Sequence, residues 1–99
     1  MAPIIEEFRV SSYAEGHMLD AHGVDLAEAI EAAESTPRQA RTYGMRSGEN
    51  RYVIPGKTSA GRRLWVVFAD EGGGVGRIVT AYDPLGRRDA TKHRKMRGD

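Results

Sequence analysis

The sequence predicts an α+β domain in which two N-terminal helices pack on an antiparallel sheet of about four strands, followed by a short basic C-terminal helix. Three observations lead there. Apolar residues recur at helical spacing before Pro37, the stretch Arg51 to Asp83 is three apolar runs divided by glycine-rich turns, and the last fourteen residues carry six lysines and arginines. Helical patterning followed by a run of strands implies helices laid on one face of a sheet.

Taken in order, Pro3 to Val10 offers a short peripheral strand with Ile4 and Ile5 as its strong apolar residues. Ser12 and Glu15 have capping-box spacing, and Ala14, Met18 and Ala21 follow at helical intervals, so the first helix runs from about Tyr13 to His22 and stops at Gly23. Gly16 weakens it by about 1 kcal/mol relative to alanine. Asp25 and Glu28 form a second capping box. Leu26, Ala29, Ile30 and Ala33 then repeat at i, i+3, i+4 and i+7, which predicts a helix over Asp25 to Glu34 whose apolar stripe needs a sheet face.

After Ser35, Thr36 and Pro37, the run Arg38 to Met45 reads as a strand pairing with Arg51 to Lys57 around a turn at Ser47 to Asn50. The Arg51 strand puts Tyr52 and Ile54 on one face and Arg51, Val53 and Lys57 on the other. Pro55 has no N–H to donate, which predicts an edge or a bulge there. Leu64 to Ala69 is six apolar residues, too short for an ordinary helix, and reads as the central strand with Trp65 in the core. Gly72, Gly73, Gly74 and Gly76 supply a hairpin, and Val75 to Tyr82 returns as the last strand. A C-terminal helix is expected from about Asp89 to Met96.

The chain of 99 residues is long enough for one domain with one core, and its 39% hydrophobic content suits a folded protein. It has no cysteine, so disulfides and thiolate metal sites are excluded. MAPIIEEF has neither a basic n-region nor a long apolar run, which reads as neither signal peptide nor membrane span and suggests a soluble cytoplasmic protein. The net charge of +1 hides a division. Met1 to Ser35 holds eight acidic residues and one arginine, a net of −7, whereas Thr36 onward holds fourteen basic and six acidic residues, a net of +8. The basic part suits a nucleic acid; the alternative is that the two parts neutralise each other across the fold or between subunits.

The order of several short motifs carries a resemblance. HGVDLAEAI (His22 to Ile30), RYVIPGKTSAGRRLWVVF (Arg51 to Phe68) and RIVTAYD (Arg77 to Asp83) are similar to the BrnT-type toxins of bacterial toxin–antitoxin pairs. The resemblance spans roughly Met18 to Val79. It implies a RelE-like fold and a metal-independent ribonuclease restrained by a cognate antitoxin. The family's glycine, basic residue and threonine fall on Gly56, Lys57 and Thr58, the glycine and arginine opening the central strand on Gly61 and Arg62, and the arginine before the last strand on Arg77. Three positions depart from the pattern: Ala21 stands where a lysine precedes the HGV histidine, Tyr82 where an arginine commonly follows the last strand, and TKHRKM replaces a tyrosine-terminated basic helix. Fold survives such changes more easily than activity.

Metal-independent RNA cleavage requires a base for the 2′-hydroxyl, a proton donor for the leaving oxygen, and fixed positive charge at the phosphate. Arg77 and Lys57 are the first candidates for that charge, each beside an apolar strand. Tyr82 can donate a proton or stack on a base, and His93, on the basic helix, can stand near a phosphate. Arg62, Arg87, Arg88 and Lys92 are candidates for holding the RNA backbone. Each of these cations also fits a solvated strand-end charge, and Tyr82 fits a residue at the margin of the core. His17 and His22 lie about 140° apart around a helix, which is not a ligand-pair spacing. GGGVG lacks the strand-before and helix-after context of a dinucleotide loop, so no cofactor is expected.

Two functions remain open at this stage. One is a toxin-like endoribonuclease acting on single-stranded RNA; the other is a non-catalytic protein- or RNA-binding domain that has kept the toxin fold, which Tyr82 in the arginine position favours. The partners to expect are RNA, an acidic antitoxin segment over Lys57, Arg62, Arg77 and the C-terminal helix, or a second copy presenting Glu28, Glu31 or Glu34.

Overall fold

The computed structural model describes residues 3–36, 39–46 and 48–84. The elements follow as β1 (Glu7–Val10), α1 (Ser12–His22), α2 (Leu26–Ser35), β2 (Arg41–Arg46), β3 (Glu49–Lys57), β4 (Arg63–Gly72) and β5 (Val75–Tyr82). They build one five-stranded sheet in the order β1-β5-β4-β3-β2, with α1 along β5 and α2 across β3 and β4. The α+β layering and the central place of β4 agree with the sequence reading. The sheet itself corrects it, being five-stranded and mixed: β1 pairs parallel to β5, Glu7 opposite Val75 through Val10 opposite Ile78. Two helices separate β1 from the β2–β5 meander, so β1 is free to join the far edge in a direction no hairpin would allow. The expected C-terminal helix lies outside the described residues.

Both helices start at side-chain caps. Ser11, one residue before the expected cap, accepts from the Ala14 amide at 3.1 Å. Asp25 accepts from the Glu28 amide at 2.8 Å, while the Glu28 carboxylate accepts from the Asp25 amide at 3.2 Å, completing the capping box. Gly23 ends α1 with φ of 63°, a left-handed conformation that glycine adopts without a Cβ penalty.

The core lies between the helices and one sheet face. Met18 of α1, Val24 of the turn and Ala29, Ala32 and Ala33 of α2 meet Ile54, Leu64, Val66, Phe68, Ile78 and Ala81. Strand alternation puts Leu64, Val66 and Phe68 on this face, so Trp65, Val67 and Ala69 point away. Val67 and Ala69 are nonetheless buried. Trp65 is 40% exposed, contrary to the expectation that it sits in the core. A six-residue apolar run hides its alternation, and only the register reveals which face each residue takes.

Pro55 stands in the interior of the sheet order yet avoids an unmet hydrogen bond. β2 pairs with β3 only as far as Arg41 opposite Val53, so Pro55 lies beyond the end of β2. There the C-terminus of α2 replaces the missing strand: the Thr36 hydroxyl donates to the Pro55 carbonyl at 3.0 Å and the Lys57 amide donates to Ser35 Oγ at 3.0 Å. The proline occupies a local edge, as its chemistry requires.

Candidate nucleic-acid interface

The sheet face away from the helices carries most of the described candidate residues, and its register divides them into two groups. Ala69 of β4 stands between Arg51 of β3 and Arg77 of β5; Trp65 stands between Pro55 and Tyr82; Arg63 pairs with Lys57. One extra residue in β5 between the partners of Val67 and Phe68 keeps both Arg77 and Tyr82 in rows belonging to this face. Lys57 and Arg77 are six residues apart along the sheet and two strands apart across it, about 22 Å. One phosphate cannot be gripped by both.

At the Arg77 end the charges are balanced. Arg77 donates to Glu49 at the start of β3, and its Nε lies 3.4 Å from Glu71. Glu49 also lies 3.6 Å from Arg51. The hydrogen bond to Glu49 holds the Arg77 proton more tightly, with burial opposing and the Glu49 and Glu71 charges assisting. The same bond pulls the Glu49 carboxyl below its ordinary range against the effect of burial. Two arginines facing two carboxylates leave little net field for an incoming anion. Arg51 Nε and Thr80 Oγ1 are buried here without a hydrogen-bond partner among the described residues.

At the opposite end, Lys57 and Arg63 are exposed and share a row next to Trp65 and Tyr82. The two rings lie 6.1 Å apart, and Tyr82 also meets the His22 ring at 5.8 Å. This end offers cations and aromatic faces together, the combination that binds single-stranded nucleic acid. Arg63 and Trp65 escaped sequence reasoning. The adjacent Arg62–Arg63 pair gives no clue to which residue faces the helices, although alternation back from buried Leu64 shows it once the core face is known.

Arg62 takes the other direction. Its guanidinium donates to the Glu28 carboxylate at 3.0 and 3.2 Å, to the Gly23 carbonyl at 3.0 Å and to the His22 carbonyl at 3.5 Å. It therefore holds the α1–α2 turn against the start of β4. The neighbouring loop is tied down as well: the buried Thr58 hydroxyl accepts from the Arg62 amide at 3.0 Å, and Ser59 donates to the Glu31 carboxylate. Glu28 and Glu31, acids of the N-terminal part, are thus engaged within their own chain. His93, Arg87, Arg88 and Lys92 lie outside the described residues. Among the described residues no cluster of three or more His, Asp or Glu side chains could hold a metal ion, and no helix is long and apolar enough to cross a membrane.

No protein-family model and no curated protein matches the sequence. Among solved structures, the 1.1 Å crystal structure of the Brucella abortus ribonuclease toxin BrnT matches with a TM-score of 0.57 and 13% identity, covering 77% of this chain and 92% of that one. The resemblance carried by motif order in the sequence is thus met by a common arrangement of helices and strands: this chain has a BrnT-like fold.

Proposed function

We propose that the chain is a toxin-like, metal-independent endoribonuclease of a toxin–antitoxin pair, acting on single-stranded RNA in the cytoplasm. The observation that carries this reading is the fold common to this chain and nearly the whole of a ribonuclease toxin. The chemistry is attack of a 2′-oxygen on the adjacent phosphorus. The 2′-hydroxyl loses its proton to a base, the bond to the 5′-oxygen breaks, and that oxygen takes a proton, leaving a 2′,3′-cyclic phosphate and a 5′-hydroxyl. Lys57 and Arg63 supply positive charge to the phosphate, with Tyr82 in the next row as a proton donor. Arg77 acts on a more distant part of the strand, or once a ligand displaces it from Glu49. His93, with Arg87, Arg88 and Lys92 as RNA-backbone contacts, completes the set of residues assigned to the site.

An acidic antitoxin segment covering the Lys57–Arg63 end would restrain the activity and bind faster at low salt. A second reading, a non-catalytic binding domain, is favoured by one observation: Arg77 is already engaged by Glu49 and Glu71. Inducible expression in bacteria separates the two. Growth arrest with RNA degradation, relieved by Lys57→Ala or Arg77→Ala in a chain that still folds, supports the nuclease. Unaffected growth with intact RNA supports the binder.

A further inference from the structure

Five aromatic rings form a continuous surface ladder from α1 onto the far face of the sheet. Tyr13 stacks parallel to His17 at 6.4 Å, His17 meets His22 edge-on at 5.7 Å, His22 meets Tyr82 at 5.8 Å, and Tyr82 meets Trp65 at 6.1 Å. The two ends are open to solvent, with Tyr13 77% and Trp65 40% exposed. The exposed rings Tyr13, His17 and Trp65 are not held by core packing, and they stand apart from the aromatic contacts of Phe68 with Phe8 and Tyr52 on the helix-facing side of the sheet. At the Trp65 end the exposed cations Lys57 and Arg63 flank the ladder.

We infer that this ladder is a binding track for the bases of an extended single-stranded RNA, with Lys57 and Arg63 taking the backbone phosphates at its Trp65 end. The inference rests on the reading that the chain acts on RNA and names the part that grips the substrate. Spacing decides the conformation: each centroid step is nearly twice the ~3.4 Å rise of stacked bases in a helical strand. The ladder therefore fits splayed, unstacked bases and not a duplex, whose bases are turned inward. Charge decides the direction of dependence. Glu15 and Asp20 are exposed on α1, so phosphates gain nothing there and binding at the Tyr13 end comes from base stacking.

Trp65 is the one tryptophan of the chain, so its fluorescence reports directly on the track. The full chain is titrated with a fully 2′-O-methylated oligouridylate of about ten nucleotides, a length within one single-strand site, and with an abasic strand of equal length and charge. Methylation blocks 2′-hydroxyl attack, so binding is read without cleavage. The methylated RNA is expected to quench Trp65 and to bind about tenfold more weakly to Tyr13→Ala, with the abasic strand indifferent to that substitution. Lys57→Ala is expected to weaken both strands. Equal affinity of the wild type for the two strands, or undiminished RNA binding by Tyr13→Ala, overturns the inference. Unmodified RNA in parallel keeps the two proposals apart: ladder-dependent binding without cleavage removes the nuclease and leaves the track, and cleavage with ladder-independent binding removes the track alone.

Discussion

Gly56 of β3 lies directly against the backbone of Ala32 in α2, so that a Cβ added at Gly56 would overlap the Ala32 carbonyl oxygen and come within 3.1 Å of its Cα. The alanines on the buried face of α2 let the helix descend this far, and the glycine receives it. Neither partner is a flexible side chain that can yield. Gly56→Ala is expected to destabilise the fold by about 3 kcal/mol or more, as an overpacked core does when backbone must shift. Gly16→Ala provides the contrast. Gly16 lies in the interior of α1 with nothing within 4 Å of an added Cβ, and alanine there is expected to stabilise by about 0.5–1 kcal/mol. Urea denaturation of both variants reads the two signs.

Glu49 links Arg77 and Arg51, and its depressed carboxyl carries a pH dependence with a definite sign. A carboxyl whose pKa is lower in the folded chain contributes stability above its unfolded value, about 4.3, and loses it as pH falls through the folded value. Wild type minus Glu49→Gln is therefore expected to show a stability advantage at neutral pH that shrinks on acidification below about pH 4.3. Denaturation midpoints measured from pH 7 to pH 3 check this. A difference independent of pH contradicts the ion-pair account.

Arg62 and Glu28 join the α1–α2 turn to the start of β4, with side chains about one-third exposed at 32% and 29%. Solvent screening limits their mutual charge term to under about 1 kcal/mol. Arg62→Ala is expected to cost about 1–2 kcal/mol, because it also removes hydrogen bonds to the Gly23 and His22 carbonyls. A double-mutant cycle with Glu28→Gln isolates the charge term, which is expected to decline in salt while most of the Arg62→Ala cost persists.

Much of this architecture is legible in the sequence where a local rule acts alone. The Asp25–Glu28 capping box, the Gly23 stop and the Val75 to Tyr82 strand all fall where propensity and spacing place them. What required the fold is whatever depends on register or distant pairing. The parallel seat of β1 comes from a partner far along the chain, and the face of Trp65 is hidden in an unbroken apolar run. Among the candidate residues, Lys57 and Tyr82 are brought to one end of the far sheet face, in adjacent rows two strands apart. Arg77 is placed at the other end with carboxylates whose proximity no spacing reveals, since Glu49 is 28 residues away in sequence. Arg62 and Arg63 look equivalent as letters, yet one fastens a helix turn and the other faces solvent.

RNA cleavage without metal is the central claim, and the ends of the products test it most directly. Purified chain is incubated with 5′-labelled single-stranded RNA in excess EDTA, and the fragments are resolved before and after acid opening of cyclic phosphates. The expected result is fragments ending in 2′,3′-cyclic phosphate, formed equally with and without EDTA and much reduced by Lys57→Ala or by a 2′-deoxy substitution at the cut. RNA left at full length by a folded, antitoxin-free chain, or cleavage that EDTA abolishes, would contradict it.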